Sequence, residues 1–222
     1  IRTANCCKMS ETACSRTPTS GRLAGLALLA VLSLTAGCAT RESLDLPELD
    51  GWESRQSLLG QVDEWAFNGR IGVAAGDEGF SGSLRWTQDG DDFEATVSGP
   101  LGIGTVRLEG DGRRVQLTDK DGNRTVLEDA ERDLYLRYGW TIPVRSLRYW
   151  ALGIPDPGLP AETVLGGDGQ LERLSQGGWQ VDITRYGEGG GQAMPTRLRA
   201  ASEQTRVKLA IHKWSFFDQP GR

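Results

Sequence analysis

The chain has little histidine and, after residue 38, no cysteine. Its only histidine is His212, and all four cysteines lie within the first 38 residues. A Ser-His-Asp triad would need His212, which has no evident acidic partner in its predicted strand, and no Gly-x-Ser-x-Gly motif is present. We therefore predict that the protein is not an enzyme and expect no catalytic residue, metal site or cofactor.

The chain also lacks an apolar run long enough to cross a bilayer. The apolar segment 23–36 falls short of the roughly 20 residues that a spanning helix needs. It follows Arg16 and Arg22 and ends in Leu-Thr-Ala-Gly-Cys at 34–38. This pattern is typical of a bacterial lipoprotein signal, in which Cys38 is acylated and becomes the first residue of the mature chain. An ordinary signal peptide followed by a chance cysteine is the alternative.

The predicted cleavage before Cys38 and the polar tether after it divide the chain into three parts. Residues 1–37 are the predicted signal peptide, with Met9 as a conventional start. Residues 38–51 are the lipidated terminus and a polar tether, and residues 52–222 are one folded domain. The remaining cysteines leave with the signal peptide, so no disulfide is expected in the mature chain.

The mature part has an excess of acidic residues. Residues 1–37 hold four basic side chains and one acidic, so the totals of 25 basic and 30 acidic residues fall to 21 and 29, a net charge of −8. Such a charge argues against nucleic-acid binding, which depends on neutralising phosphates. We therefore expect attachment to a membrane to come from the lipid on Cys38.

The hydrophobic pattern predicts a mainly β domain. Helical spacing predicts an amphipathic helix over 52–66, after which the period changes to two, with Asp-Gly turns at 89–90, 111–112 and 121–122. Residues 128–152 are predicted to form two short helices separated by a turn at 139–143, and residues 154–168 a loop. Further strands are predicted over 171–174, 179–186, 196–201 and 206–214, with a glycine loop at 187–191. We expect a curved antiparallel sheet with a few short helices.

Two apolar features stand out in the mature chain. The mature chain has seven tryptophans, and an aromatic sheet face under short helices can enclose an apolar cavity. The candidates for lining it are Trp86, Trp150, Trp179 and Trp214, for each of which ordinary core packing is the alternative. The second feature is the turn Gly99-Pro100-Leu101-Gly102, which places a leucine at its tip where solvent alone would favour a polar residue.

Several segments resemble the family of the outer-membrane lipoprotein receptor LolB, from Trp52 to Trp214. The most specific are the helix–strand junction 65–71, the Gly-Pro-Leu-Gly turn at 99–102, IPVRSLRYWALGIP at 142–155, GWQV at 178–181, Met-Pro at 194–195 and RVKLAIHKW at 206–214. Their order after a lipoprotein signal makes the resemblance strong.

The resemblance implies an unclosed antiparallel β-barrel covered by helices, with a hydrophobic cavity for the acyl chains of lipoproteins. The family accepts lipoproteins from the periplasmic carrier LolA and inserts them into the inner leaflet of the outer membrane. Leu101 then matches the leucine implicated in insertion, and Cys38 the lipid anchor. A monomer facing the periplasm is expected. The alternative is a structural or assembly lipoprotein that binds only protein partners, with an exposed patch or strand edge in place of a cavity.

Overall fold

The computed structural model describes residues 41–99, 104–111 and 114–217. The chain separates into two compact units, Ile1–Arg41 and Glu42–Arg222, and the second holds every helix and strand given below. Cys38, Pro100, Leu101 and Gly102 lie outside the described residues. Their assigned roles therefore stay predictions.

Eleven antiparallel strands form one sheet. Along the chain they are β1 (Glu64–Ala75), β2 (Glu78–Asp89), β3 (Asp92–Ser98), β4 (Thr105–Gly110), β5 (Val115–Thr118), β6 (Arg124–Leu127), β7 (Ala161–Leu165), β8 (Leu171–Gln176), β9 (Trp179–Gly189), β10 (Gln192–Ala201) and β11 (Arg206–Phe216). Their order across the sheet is β6-β5-β4-β3-β2-β1-β11-β10-β9-β8-β7. The first and last strands pair at the centre. Over the described ranges β6 and β7 are unpaired edges, so the barrel is open.

The alternating pattern of the strands directs apolar side chains to one face. Phe67 on β1 faces Trp86 on β2 and Trp214 on β11, and all three are buried. The buried side chains of the strands and helices form one continuous core. A flat sheet of this many strands would be about 48 Å wide, so it must curve to bring them together. The prediction of an unclosed antiparallel barrel covered by short helices is confirmed.

Three helices lie in the described part of the chain: α1 (Gly51–Leu59), α2 (Ala130–Tyr138) and α3 (Val144–Leu152). The two short helices predicted within 128–152 are confirmed, and each ends at a glycine with positive φ, Gly139 and Gly153. The prediction of a helix over 52–66 is wrong at its end. The helix stops at Gly60, and Trp65 belongs to β1, where pairing with Phe216 outweighs the helical spacing.

Two predicted loops also contain strand. Residues 161–165 form β7, all of whose side chains are exposed, so this edge strand carries no alternating burial from which it could be predicted. Residues 187–189 continue β9, and only the end of the glycine cluster forms a turn. A Cβ on Gly189 would lie 2.8 Å from Cδ1 of Trp214, so this glycine makes room for the indole ring.

A β-bulge at His212 sets which face the end of β11 presents. Lys213 pairs with Asn68 and Ile211 with Gly69, so His212 is the extra residue. A Cβ on Gly69 would lie 2.2 Å from the carbonyl oxygen of Ala210, so only glycine fits opposite the bulge. The bulge shifts the alternation by one residue and places Trp214 on the same buried face as Ile211.

Candidate functional site

Six aromatic rings pack together on the concave face of the sheet. Trp65 and Phe67 lie at the centre, with Trp214 at 5.7 Å and 5.3 Å from them between ring centroids. Trp86 stacks on Phe67 at 6.1 Å. We call this set the aromatic cluster; its members are Trp65, Phe67, Trp86, Phe93, Trp214 and Phe216. It brings together two of the four predicted tryptophans, Trp86 and Trp214.

The other two predicted tryptophans meet at the opposite end of the strands. Trp150 on α3 lies 6.1 Å from Trp179, the first residue of β9. The next residue, Gln180, faces Ala201 at the far end of β10 from the aromatic cluster. The four tryptophans therefore share one concave face in two separate groups.

All four are enclosed by protein. Their exposed fractions are 1% to 5%, which is unusual for so large a side chain. The indole nitrogens of Trp86, Trp150 and Trp214 donate to Gln88 Oε1, Gln176 Oε1 and the Pro195 carbonyl. Satisfied polar atoms and close ring contacts hold these side chains in a packed core.

Gln176 ties α3 to the sheet. Its Oε1 accepts hydrogen bonds from Trp150 Nε1 and from the backbone N–H of Asp156, both at 2.9 Å. Its Nε2 donates to the carbonyls of Asp156 and Leu159 at 2.9 Å and 3.0 Å. The side chain is 3% exposed, so one buried amide fixes the end of α3 and the loop after it.

Arg55 attaches α1 to the sheet by different means. It is 3% exposed, and its Nη2 donates to the Ala193 carbonyl and to Met194 Sδ. Its guanidinium lies 5.4 Å from the centre of the Tyr186 ring, while Nε has no hydrogen-bond partner. Burial lowers the pKa of Arg55 and raises that of Tyr186, because both charged forms lose water.

The space between α1 and α3 is a surface groove of about 310 Å³. Residues from α1, such as Glu53 and Gln56, form one wall, and Tyr149, Ile154 and Pro155 form the other. Behind the groove lies the continuous apolar core. In this conformation side chains fill the interior next to all four tryptophans, and the groove marks the seam along which the covering helices meet.

Sequence reasoning missed both Arg55 and Gln176. Arg55 lies on the same helical face as Trp52 and Leu59, and an arginine on an apolar face could have indicated a buried contact. Gln176 gave no such signal, because its partners come from α3 and the following loop. Within the described ranges, no cluster of three or more His, Cys, Asp or Glu could hold a metal ion, and no helix is long and apolar enough to cross a membrane.

Comparison with known proteins gives consistent matches. A family model described as "Outer membrane lipoprotein LolB" matches residues 63–214. Proteins named "Outer-membrane lipoprotein LolB" are 38% identical in Nitrosococcus oceani, over 84% of this chain and 94% of that protein, and 35% identical in Pseudomonas aeruginosa, over 84% and 91%. A solved LolA superfamily protein from Nitrosomonas europaea is 9% identical, with a TM-score of 0.49, over 77% of this chain and 95% of that one. That last similarity is too low to bear on the assignment.

Proposed function

Because this chain belongs to the LolB family of outer-membrane lipoproteins, we propose that it is a lipoprotein receptor. It accepts lipoproteins from the periplasmic carrier LolA and inserts them into the inner leaflet of the outer membrane. The observation that carries this function is the concave apolar face of an open sheet, lined with aromatic rings and covered by three short helices.

The chemistry of the client explains the need for such an interior. Each buried methylene contributes about 0.8 kcal/mol, so a long acyl chain exposed to water costs on the order of 10 kcal/mol. A client with three chains must therefore move from one apolar enclosure to another. No nucleotide is needed if the chains move down a gradient of affinity.

In this proposal the acyl chains enter beneath the covering helices. The candidates for contacting them are Trp86, Trp150, Trp179 and Trp214, which now pack against the protein's own side chains. Entry therefore requires a covering element to move. The groove between α1 and α3 marks the place, and α1 is the helix with fewer buried residues, Arg55 and Leu59.

The direct test is a transfer experiment. A purified complex of the carrier with a lipoprotein is mixed with this domain in which Cys38→Ala removes the lipid anchor. We expect the client to move to the domain, because Cys38 serves membrane attachment and the interior serves client binding. If the client stays on the carrier, the receptor assignment is wrong. Displacement of a fluorescent fatty acid by the client would separate a receptor from a lipoprotein that binds only protein surfaces.

We assign insertion to Leu101 in the segment between β3 and β4. The variant Leu101→Glu should accept client normally but deliver it to liposomes more slowly, because a carboxylate resists entry into the bilayer surface. A matched control is Leu136→Glu on α2, where the leucine is 69% exposed. The control should deliver client at the parent rate. Equal rates for Leu101→Glu and the parent would remove Leu101 from the mechanism.

A further inference from the structure

Four basic side chains surround a groove on the convex, outward face of the central strands. The groove has a volume of about 380 Å³, and small residues such as Gly72, Ser81 and Ala210 help to line it. We call the four basic residues the basic face; they are Arg70 on β1, Arg197 and Arg199 on β10, and Lys208 on β11. All four are exposed, on the side of the sheet opposite the aromatic cluster.

The basic face places like charges next to one another. Arg199 lies directly opposite Lys208 in the β10–β11 pairing, an arrangement that destabilises a sheet. Among the described residues, no carboxylate lies within ion-pairing distance of the four. The nearest in register is Asp182, opposite Arg199, and it is bound by Arg173 at 3.1 Å. In a chain with a net charge of −5, this grouping of cations is complementary to an external anionic surface.

Two points assigned to membrane attachment lie near the basic face. At one end of the strands, Phe216 donates its backbone N–H to Ser43 Oγ at 3.1 Å. The chain from Cys38 to Ser43 can span at most about 18 Å, so a lipid on Cys38 holds this end near the bilayer.

The second point lies further along the strands. Arg70 faces Ser83, which faces Ser98 at the end of β3. Ser98 in turn pairs with Thr105 on β4, and the segment joining these two residues contains Leu101. Arg70 is five residues along β1 from Trp65, the partner of Phe216, or about 17 Å. The anchored end and the Leu101 segment can therefore reach one bilayer together when the strands run along its surface.

We propose that the convex basic face lies against the phosphate groups of an anionic phospholipid surface, with the strands parallel to the membrane plane. The orientation rests on the proposed function, which supplies the two attachment points. It turns the concave face and the groove between α1 and α3 toward the periplasm, where a carrier arrives. The proposed orientation also explains why these cations lie together on an otherwise acidic protein. Basic side chains near an anionic lipid surface are strongly attracted to that surface.

The test uses the mature chain with Cys38→Ala, so that no acyl chain contributes. Sedimentation with vesicles is compared for phosphatidylethanolamine mixed with phosphatidylglycerol and for phosphatidylethanolamine mixed with phosphatidylcholine. We expect binding to the anionic vesicles that weakens as salt is added. Replacing Arg70, Arg197, Arg199 and Lys208 by Gln should lower the partition coefficient at least tenfold, since each surface cation contributes about a factor of five.

A matched control removes the same charge elsewhere. The variant Arg114→Gln, Arg132→Gln, Arg145→Gln, Arg148→Gln changes the hairpin before β5 and the two helices α2 and α3. It should bind within about twofold of the parent, since none of its four cations belongs to the basic face. Equal losses in both variants would mean that net charge alone matters and would overturn the proposal. So would parent binding that ignores lipid charge, or quadruple-variant binding equal to the parent's.

Folding and function are checked separately. The double variant Arg199→Gln, Lys208→Gln should melt no lower than the parent, because it removes a repulsive pair, and should show an intermediate loss of vesicle binding. Transfer of client from carrier to domain in solution should be unchanged in every variant. If the parent fails to accept client from the carrier, the proposed receptor function is wrong. If transfer is normal but vesicle binding does not depend on lipid charge, only the proposed orientation is wrong.

Discussion

Helices α1 and α3 border the same groove but attach to the domain in opposite ways. Each has nine residues. Helix α3 buries six of them, including Leu147 and Trp150, and the Trp150 indole N–H donates a hydrogen bond to Gln176 Oε1. Helix α1 buries only Arg55 and Leu59. One helix is part of the core, and the other rests on it.

The difference indicates which helix can move. Lifting α3 would expose several apolar side chains and break the buried hydrogen bond between Trp150 Nε1 and Gln176 Oε1, and both effects are costly. Lifting α1 would return Arg55 to water, and the recovered hydration offsets part of the lost contacts. We therefore expect α1 to open over the interior while α3 stays in place.

The largest expected effect tests the helix that belongs to the core. Trp150→Ala should lower the free energy of unfolding by about 3–5 kcal/mol, because it removes a fully buried ring and leaves a cavity. Trp52→Ala on α1, where the ring is only half-buried, should lower it by less than about half as much. Urea unfolding followed by tryptophan fluorescence measures both. Equal losses would contradict the contrast between the helices.

Gln176→Leu tests the polar tie of α3. The change leaves the Trp150 indole N–H and the backbone groups of Asp156 and Leu159 without partners, and a loss of about 2–3 kcal/mol is expected. The control is Gln180→Leu, a nearby exposed side chain bonded to Ser175, which should change stability little. A small effect at Gln176 would show that water replaces its hydrogen bonds.

Arg55→Ala tests how α1 is attached to the sheet. Global stability should fall by only about 1 kcal/mol, because the loss of contacts is offset by removal of a buried charge. Amides of α1 should exchange with deuterium about five to ten times faster, and a fluorescent fatty acid should bind more readily. Arg148→Ala, at a surface ion pair on α3, is the control and should leave exchange in α3 unchanged. Unaltered exchange in α1 would rule out Arg55 as its attachment.

The smallest effect is expected at Asp91, the exposed partner of Arg148 in the surface ion pair of α3. Asp91 is mostly exposed and lies 3.2 Å from Arg148 Nη1, and such surface pairs add little because water and salt screen them. Asp91→Asn should leave the urea midpoint within the scatter of repeated measurements. A clear shift would mean that α3 depends on its surface contacts as well as on its core side.

Local patterns in the sequence were sufficient to predict most strands of the sheet. Strands with one buried face, such as β2 and β9, show an alternation that depends only on neighbouring residues. The edge strand β7 has no buried face, so its pattern carried no signal. At Trp65, helical and strand spacing competed locally, and only the partner strand β11 decided the outcome.

In the candidate site, too, some features could be predicted from local sequence and others could not. The inward orientation of Trp86, Trp150 and Trp179 follows from their type and from the periods of their elements, which are properties of short segments. Trp214 is different, because strict alternation from Lys208 would place it on the exposed face and only the bulge at His212 turns it inward. The separation of the four tryptophans into two groups depends on the bulge at His212 and on the docking of α3. The roles of Arg55 and Gln176 depend on partners more than 15 residues away along the chain. Period and composition determine the burial of most apolar side chains, whereas long-range pairing decides which of them meet and also buries Trp214, Arg55 and Gln176.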